Sequence, residues 1–385
     1  MKKVVIGMSG GVDSSVAAFL LKKKGYEVIG VTIKTWPDDA PHGLAAIKDA
    51  RTVAEAIDIP HHIIDYQGEF QKEVIDYFVT EYLIGRTPNP CTVCNRFVKW
   101  ESLLKHRKDV GADYVATGHY AQVSKIRSHV SKMHSASKMH SPASKIIAPM
   151  CEAKSPLSRT DNHRYTVKKS WTAAKDQTYA LYNLTQEQLQ KTLMPIGEYS
   201  KEEIRQIAID ENIPVANKPD SQEICFIPDD NHTGFIAHYS LVRGLTVPPV
   251  GNFVTQEGDI LGVHKGITHY TIGQRKGLGL AMGRHVFVTE IRPKTNEVVI
   301  GESEDVFGTT LRCNRLNFMG MADLPRPRNV IAKVRYAHQG ETATIEQIGA
   351  DEILCTFDAP VRAITPGQAV VFYENDYVLG GGVIC

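Results

Sequence analysis

Long apolar runs are missing from this chain of 385 residues, and so is any strong excess of charge. No run approaches the roughly 20 apolar residues that a membrane-spanning helix needs, so we expect no membrane segment. Met1-Lys2-Lys3 leads straight into an apolar strand, so we expect no signal or transit peptide. Seven cysteines in a chain of this length, without a secretory signal, indicate reduced thiols rather than a disulfide framework. Together these absences predict a cytoplasmic protein.

The net charge of +1 hides an uneven distribution. Residues 123–175 contain 11 Lys or Arg and two acids, a local charge of +9, so the rest of the chain carries −8. Such a basic segment predicts a polyanionic partner. Within it, Ser-Lys-Met-His-Ser occurs at 131–135 and again at 137–141, in a tract with few apolar residues. We expect a disordered insertion over residues 124–163, which either helps to capture the partner or has no role of its own.

A glycine loop, Ser9-Gly10-Gly11-Val12-Asp13-Ser14-Ser15, lies where an apolar strand gives way to a helix. Its glycines let backbone N–H groups approach an anion, and the following helix turns its positive end to the same point. The loop lacks the spacing and the lysine of the usual kinase and GTPase phosphate loop. It is similar to the PP-loop of ATP pyrophosphatases, which transfer AMP to a carbonyl-like oxygen. The simpler alternative is a strand-to-helix turn with Asp13 or Ser14 as its N-cap.

Apolar strands and helical patterns alternate through the first 120 residues. This rhythm predicts an α/β fold with a doubly wound parallel sheet, in which ligands bind beyond the carboxyl ends of the strands. The strand ends at Ser9–Ser15, Thr32–Lys34 and Thr117–Tyr120 are therefore expected to meet in one crevice. From about residue 247, short β-rich runs between turn residues predict a small antiparallel β-barrel. The expected strands of the parallel sheet lie near residues 3–8, 27–33, 61–65 and 113–117.

The length of the chain allows two or three domains. We predict an N-terminal adenylation domain of the PP-loop type over residues 1–205 and a small central domain over residues 206–280, which carries Cys225. The C-terminal β-barrel is expected over residues 281–385, and a barrel of this size is more often a docking module than a catalytic one.

Two thiols lie at the end of a proline-rich loop, in the sequence Asn89-Pro90-Cys91-Thr92-Val93-Cys94-Asn95. We expect Asn95 to cap a helix that begins around Val98, and thiols near a helix N-terminus have a lowered pKa and a raised reactivity. A third thiol, Cys225, stands in a polar loop that leads into apolar residues. The alternative, a zinc knuckle, needs a fourth ligand, and the sequence has no second Cys-x-x-Cys or histidine pair at zinc-finger spacing.

Together these features resemble the family of tRNA-specific 2-thiouridylases. The resemblance covers nearly the whole chain, and several separate motifs occur in the family's order. The long insertion at residues 124–163 departs from the family's pattern. The matching segments are Gly7–Ser15, Gly85–Lys99, Ala116–Tyr120, Lys175–Gln177, Lys218–Phe226, Tyr270–Gly279, Arg335–Tyr336 and Pro366–Gln368.

The resemblance implies an enzyme that replaces O2 of the wobble uridine of a tRNA by sulfur. ATP, with Mg²⁺, would adenylate O2 and release pyrophosphate; a cysteine persulfide would then deliver sulfur to C2, and AMP would leave. By resemblance, Cys225 carries the persulfide, and Cys94 is the partner nucleophile, able to form a disulfide with Cys225. The implied partners are tRNAs for Lys, Glu and Gln and a cysteine desulfurase or sulfur-carrier protein. The enzyme is expected to be a monomer.

The family's binding residues carry over to this sequence position by position. The target base would be held by Asn89, Pro90 and Cys91, and the barrel would dock the tRNA. The expected ATP-binding residues are Gly7, Met8, Ser9, Gly10, Gly11, Val12, Asp13, Ser14, Ile33 and Gly118. The residues expected to touch tRNA are His119, Lys175, Asp176, Gln177, Arg335, Tyr336 and Gln368.

One position, Cys91, departs from the family in a way that bears on the chemistry. Many members have Asp there, and a thiol cannot replace that candidate acid–base group in the same way, because its ordinary pKa is near 8.5 rather than about 4. Cys91, Cys94 and Cys225 instead form a set of three thiolates that could hold a 4Fe–4S cluster with one iron open to hydrosulfide. The sequence leaves both the cluster and a plain persulfide relay open.

Two other functions compete with this one. An amidotransferase or ligase with the same loop would adenylate a carboxylate or ureido group, but it has no need for three thiols in this pattern. A non-enzymatic RNA-binding protein with a barrel and a basic arm would leave the glycine loop unexplained.

Overall fold

The computed structural model describes residues 1–37, 41–127, 163–219, 224–227 and 229–385. No helix within these ranges is long and apolar enough to cross a membrane. Most of the predicted insertion, residues 128–162, lies outside the described residues. The predicted bounds of the insertion were wrong at both ends, because residues 124–127 and His163 belong to paired strands of a hairpin, in which Ser124 lies opposite Thr166.

The helices of the described ranges include two π-helical segments, which continue neighbouring α-helices. One π-helical segment (Gln71–Ile75) begins directly after Phe70, and the other (Cys94–Trp100) begins directly after Val93. The α-helices are α1 (Val12–Lys23), α2 (Pro41–Ala56), α3 (Gln67–Phe70), α4 (Asp76–Leu83), α5 (Pro90–Val93), α6 (Glu101–Asp109), α7 (Gln186–Gln190), α8 (Lys201–Asp210) and α9 (His232–Arg243).

The strands fall into three sheets. They are β1 (Lys3–Gly7), β2 (Glu27–Lys34), β3 (His61–Asp65), β4 (Tyr114–Ala116), β5 (Ala121–Arg127), β6 (His163–Lys169), β7 (Thr192–Leu193), β8 (Gly251–Val254), β9 (Ile260–His264), β10 (Phe287–Arg292), β11 (Glu297–Gly301), β12 (Phe307–Phe318), β13 (Arg328–Lys333), β14 (Glu341–Gly349), β15 (Glu352–Arg362), β16 (Ala369–Glu374) and β17 (Tyr377–Ile384).

Five strands form a parallel sheet in the order β3-β2-β1-β4-β7. Strand β1 reads as a continuous apolar run because helices cover both of its faces. Val4 and Ile6 pack with residues of α1, α2 and α8, whereas Val5 packs on the other face with Leu103 of α6. The doubly wound sheet predicted from the sequence is therefore confirmed.

The C-terminal strands close into a six-stranded antiparallel barrel, in the order β12-β15-β14-β13-β16-β17, with β12 pairing back to β17. This confirms an antiparallel barrel at the C-terminal end of the chain, but its strands begin at Phe307 rather than at residue 281, because β10 and β11 pair with β8 and β9 in another sheet. The β5–β6 hairpin attaches to the barrel through the pairing of Lys168 with Tyr377, so the barrel is joined directly to the first domain. A smaller sheet, β10-β11-β8-β9, lies between these two units in sequence.

Neither predicted domain boundary falls between packing units. Helix α8 runs across the boundary at residues 205/206, and its Ile204 and Ala208 both pack in the core beside α1. The four-stranded sheet likewise contains strands from both sides of the boundary at residues 280/281. The division into three domains therefore stays a prediction.

Candidate nucleotide and thiol site

A cavity of about 1470 Å³ lies at the carboxyl ends of β1, β2 and β4. Gly7 ends β1, Lys34 ends β2 and Thr117 follows β4, and all three residues line the cavity. The three predicted strand ends thus meet in one crevice, as the sequence indicated. Cys94 and Cys225 line the same cavity.

The glycine loop forms an anion cradle at the start of α1. Gly11 is the N-cap, in place of the Asp13 or Ser14 that the simpler alternative expected, and Ser14 Oγ accepts a hydrogen bond from the Ser9 N–H at 3.2 Å. Gly118 faces this helix end so closely that a Cβ there would lie 2.6 Å from Ser14 N. A side chain at position 118 would therefore cover the N-terminal N–H groups, which here face the cavity and suit the phosphates of ATP.

Of the residues expected to bind ATP, all but one line the cavity. Gly10 is the exception: it has a φ of +70°, and its own Cβ would lie 2.6 Å from Ala46 O of α2. Its carbonyl accepts a hydrogen bond from Lys218 Nζ at 3.0 Å. Gly10 therefore packs the loop against α2. The others line the cavity: Gly7, Met8, Ser9, Gly11, Val12, Asp13, Ser14, Ile33 and Gly118.

Asp13 is held by two residues that sequence reasoning missed. Lys201 Nζ and the Tyr120 hydroxyl both contact Asp13 Oδ1 at 2.7 Å. The Lys201 side chain is only 7% exposed, so its ion pair with Asp13 offsets part of the cost of burying the ammonium group. The capping box of Ser200 and Glu203 marks the start of α8 in the sequence, but nothing local connects Lys201 to a residue 188 positions earlier.

The lining of the cavity is strongly basic. Asp13 is the one acid among the described lining residues. The basic lining residues are Lys34, Lys48, Arg51, Lys99, Lys175 and Lys218. This balance favours a polyanion such as a nucleoside triphosphate or an RNA backbone.

The thiol-bearing helix begins earlier than predicted. Asn89, not Asn95, is its N-cap: Asn89 Oδ1 accepts a hydrogen bond from the Cys91 N–H at 3.1 Å, and Pro90 occupies the first helical position. Asparagine followed by proline was the local signal for this start. Asn95 is buried instead and donates its side-chain N–H to the Ala180 carbonyl.

Burial raises the pKa of two of the thiols, whereas the sequence predicted a lowered pKa near the helix N-terminus. Burial raises the pKa of Cys94 to about 11, and the nearby Lys99 ammonium only partly opposes it. Cys225 is accessible because it lines the cavity, yet protein surrounds its thiol, and this desolvation raises its pKa to about 12. The expectation of a lowered thiol pKa was therefore wrong for Cys94, because the cost of burying a thiolate exceeds the effect of the helix end.

The thiols lie near one another. Cys94 packs in one apolar cluster with Phe226 and Ile224, the two neighbours of Cys225 in the chain, and the charges of Cys91 and Cys94 both raise the Cys225 pKa. Cys91 is exposed. Within the part of the chain that the structure describes, no three His, Cys, Asp or Glu side chains form a group that could hold a metal ion.

The residues expected to touch RNA separate into two groups. His119, Lys175, Gln177 and Tyr336 line the cavity. Burial, with a smaller effect of Lys99, lowers the pKa of His119 to about 3, so its ring is neutral at pH 7. Its Nδ1 lies 2.9 Å from Thr117 Oγ1, and its ring lies 5.5 Å from that of Trp100.

The residues of the other group, Asp176, Arg335 and Gln368, make hydrogen bonds within the protein. Asp176 is buried and accepts hydrogen bonds from the Ser170 N–H and the Thr178 hydroxyl. Arg335 donates to the Arg362 carbonyl, and Gln368 donates to the Thr87 carbonyl. Of the residues expected at the base, Pro90 is buried and Asn89 is the helix cap described above.

Comparisons with known proteins agree with this organisation. Family models match three segments: residues 2–229 as a "tRNA methyl transferase HUP domain", 241–302 as a "tRNA methyl transferase PRC-barrel domain" and 308–384 as an "Aminomethyltransferase beta-barrel domain". A tRNA-specific 2-thiouridylase MnmA from Lachnoclostridium phytofermentans is 53% identical over 100% of this chain and 99% of its own length. Proteins of the same name from Clostridium perfringens and Clostridioides difficile are 48% and 46% identical, each over 100% of this chain and 98% of their own length. The chain belongs to the tRNA-specific 2-thiouridylase family.

Proposed function

We propose that the chain is a tRNA-uridine 2-sulfurtransferase, which uses ATP to activate O2 of the wobble uridine and replaces that oxygen by sulfur. The observation that carries this proposal is that the glycine loop and two thiols, Cys94 and Cys225, line one cavity. A phosphate cradle alone would suit many ATP enzymes, whereas thiols in the same cavity support sulfur as the incoming atom. Family membership likewise favours this function over an amidotransferase or ligase.

In the first step, O2 of the uridine attacks the α-phosphorus of ATP, the bond from that phosphorus to the bridging oxygen breaks, and pyrophosphate leaves. The urea-like O2 of uridine is a poor leaving group, whereas the same oxygen departs readily from C2 once it belongs to AMP. The N–H groups at the start of α1 and the basic lining stabilise the phosphate charge. Mg²⁺ would enter on the phosphates of ATP, as it commonly does.

In the second step, the terminal sulfur of a persulfide on Cys225 attacks C2, and AMP leaves with the original oxygen. The Cys94 thiol, whose pKa is raised by burial, then loses its proton to water and attacks Cys225 Sγ, and the bond from Cys225 to the transferred sulfur breaks. The products are 2-thiouridine and a Cys94–Cys225 disulfide, which two external thiols or one dithiol must reduce before the next turnover.

We favour this persulfide relay over a 4Fe–4S cluster, because the described residues contain no group of ligands arranged for a metal ion. Cys91, which is exposed, would then lie against the target base. An anaerobic preparation analysed for iron and acid-labile sulfide should contain neither. Stoichiometric iron that disappears in Cys91→Ala would contradict the relay.

We further propose that the substrates are tRNAs for Lys, Glu and Gln and that a cysteine desulfurase or a sulfur-carrier protein supplies the sulfur. The enzyme would work as a monomer in the cytoplasm. The basic lining of the cavity supports an RNA substrate.

The activity is tested by incubation with unmodified tRNA, ATP, Mg²⁺ and a persulfide donor, namely a cysteine desulfurase with free cysteine, followed by mass spectrometry of the nucleosides. Because two of the matching family models carry the name of methyl transferases, the assay should distinguish exchange of oxygen for sulfur from addition of a methyl group. Sulfur-containing uridine formed only with ATP supports the proposal. A methylated nucleoside, or an unchanged tRNA, would contradict it.

A further inference from the structure

Trp171 is the feature that the proposed chemistry leaves unexplained. Its side chain is 81% exposed, whereas Trp100 is fully buried and Trp36 lines the cavity. An exposed indole keeps a large apolar surface in water, and aromatic side chains placed this way are enriched at binding surfaces. The residue lies two positions after the end of β6 and precedes the turn that leads into the cavity.

The backbone around Trp171 is fixed. The Trp171 N–H donates to the Gly197 carbonyl at 3.0 Å. On one side the Ser170 N–H donates to the buried Asp176 carboxylate at 3.0 Å, and on the other the Thr172 N–H donates to Ser170 Oγ at 3.1 Å. A side chain presented from such a turn pays little ordering entropy when it binds.

The charges around Trp171 suit a phosphate backbone. Lys168 and Lys169 precede it, and Lys175 follows it within one short turn. The nearby Asp176 carboxylate is buried and already accepts two hydrogen bonds. Two exposed acids, Glu198 beyond Gly197 and Asp376 opposite Lys169, leave the three lysines in excess. The electrostatic balance therefore favours an anionic partner at this turn.

Lys333 of the barrel strand β13 adds a further positive charge near Lys169. Burial lowers the pKa of Lys333, the Asp176 carboxylate opposes this effect, and the Lys169 ammonium adds to it. Tyr336, which is 48% exposed, lines the cavity beside Lys175. Basic residues interleaved with exposed aromatic rings are the pattern with which proteins bind single-stranded nucleic acid.

The position of Trp171 relative to the cavity indicates which part of the substrate its side chain contacts. Ala174 and Lys175, three and four residues after Trp171, line the cavity that would receive the uridine. A uridine that enters the cavity must leave its stack, so the bases beside it lose a stacking partner. We propose that Trp171 stacks on an unpaired base of the anticodon loop that flanks the target uridine. This inference rests on the proposed function.

The test compares the dissociation constants of the full-length chain for unmodified tRNA and for its isolated anticodon stem-loop. Trp171→Ala should weaken both by about fivefold to one-hundredfold, and Trp171→Phe should recover most of the affinity because it keeps a ring. Leu241→Ala, at a residue that is also 81% exposed but lies on α9, is the matched control and should bind like the wild type. Thermal unfolding should be unchanged, since the indole makes little buried contact.

The salt dependence separates stacking from charge. Trp171→Ala should leave the slope of log affinity against log salt unchanged, whereas Lys169→Ala should make it shallower by about one unit. An unchanged affinity of Trp171→Ala for both RNAs would overturn the inference. So would loss of sulfur delivery from a protein donor with RNA binding intact, since this would assign the indole to a protein partner. These results leave the proposed function standing, whereas wild-type protein that forms no 2-thiouridine would contradict the function itself.

Discussion

Gln368 Nε2 donates a hydrogen bond to the Thr87 carbonyl at 2.9 Å, across 281 residues of sequence. The Thr87 N–H in turn donates to the Pro366 carbonyl, which lies in the same barrel turn as Gln368. This turn packs so closely on Thr87 that a Cβ at Gly367 would lie 2.9 Å from Thr87 N. Thr87 is two residues before the cap of the helix that carries Cys91 and Cys94. The barrel therefore positions the thiol-bearing segment as well as offering a surface for RNA.

Gln368→Ala should lower the turnover number for thiolation several-fold and change the tRNA dissociation constant by less than about twofold. The lost hydrogen bond is worth about 1 kcal/mol and loosens the segment that leads to Cys94. Gln347→Ala is the control, because Gln347 of the same barrel donates only to the nearby Gly349 and Ala350 carbonyls. A tRNA affinity that falls as much as the turnover number would instead make Gln368 an RNA contact.

Gly118→Ala should abolish ATP-dependent pyrophosphate release and destabilise the protein by about 1–3 kcal/mol. The added methyl group would lie 2.6 Å from Ser14 N and displace the start of α1. Gly68→Ala is the matched control, because no described residue outside its own helix lies within 4 Å of the added methyl group. Pyrophosphate release can be followed with a coupled assay, and stability by urea unfolding. Normal ATP use by Gly118→Ala would show that the cradle does not bind the nucleotide.

Lys201→Met should raise the KM for ATP several-fold and lower the free energy of unfolding by about 1–3 kcal/mol, because Asp13 loses its charged partner. The exposed pair of Lys23 and Glu211 also joins α1 to the end of α8, at 3.3 Å. Lys23→Met should therefore cost less than about 0.5 kcal/mol and leave the KM unchanged. If the two substitutions changed the KM and the free energy of unfolding equally, the buried pair of Lys201 and Asp13 would have no greater role than the exposed pair.

His119 should make the protein less stable in mild acid. Its folded-state pKa of about 3 lies below the usual value of 6.5, so below pH 6.5 the unfolded chain binds a proton that the folded chain refuses. Between pH 7 and pH 5 this costs about 1–2 kcal/mol of stability. Urea unfolding at both pH values should show a smaller loss in His119→Asn than in the wild type. Equal losses would mean that the ring is protonated in the folded protein.

Local sequence patterns were enough for the parallel sheet, the barrel and the glycine loop. Strand β1 is a continuous apolar run, and the glycines and hydroxyls of the loop that follows it predict a phosphate-binding site. Asn-Pro at positions 89 and 90 is a local signal for the start of the thiol-bearing helix, and the prediction of a cap at Asn95 was wrong.

The remaining features depend on contacts between distant residues. Lys201 reaches Asp13 across 188 positions, and no periodicity in either segment reports that pairing. The raised pKa of Cys94 follows from burial among side chains of α4 and of the segment at Phe226, which the Cys-x-x-Cys spacing does not encode. Sequence patterns thus predicted the elements and the residue types, whereas the electrostatics of the site required the packed fold.

The most direct test of the account follows a labelled sulfur atom. The enzyme is loaded with radioactive persulfide, freed of unbound sulfide and mixed with unmodified tRNA, with or without ATP and Mg²⁺. We predict that the label moves to the tRNA only when ATP is present, with one AMP released for each 2-thiouridine. Cys225→Ser should release pyrophosphate and transfer no label. Label that stays on the protein in the presence of ATP, or that reaches the tRNA without it, would contradict the claim that nucleotide activation and protein-borne sulfur meet in one cavity.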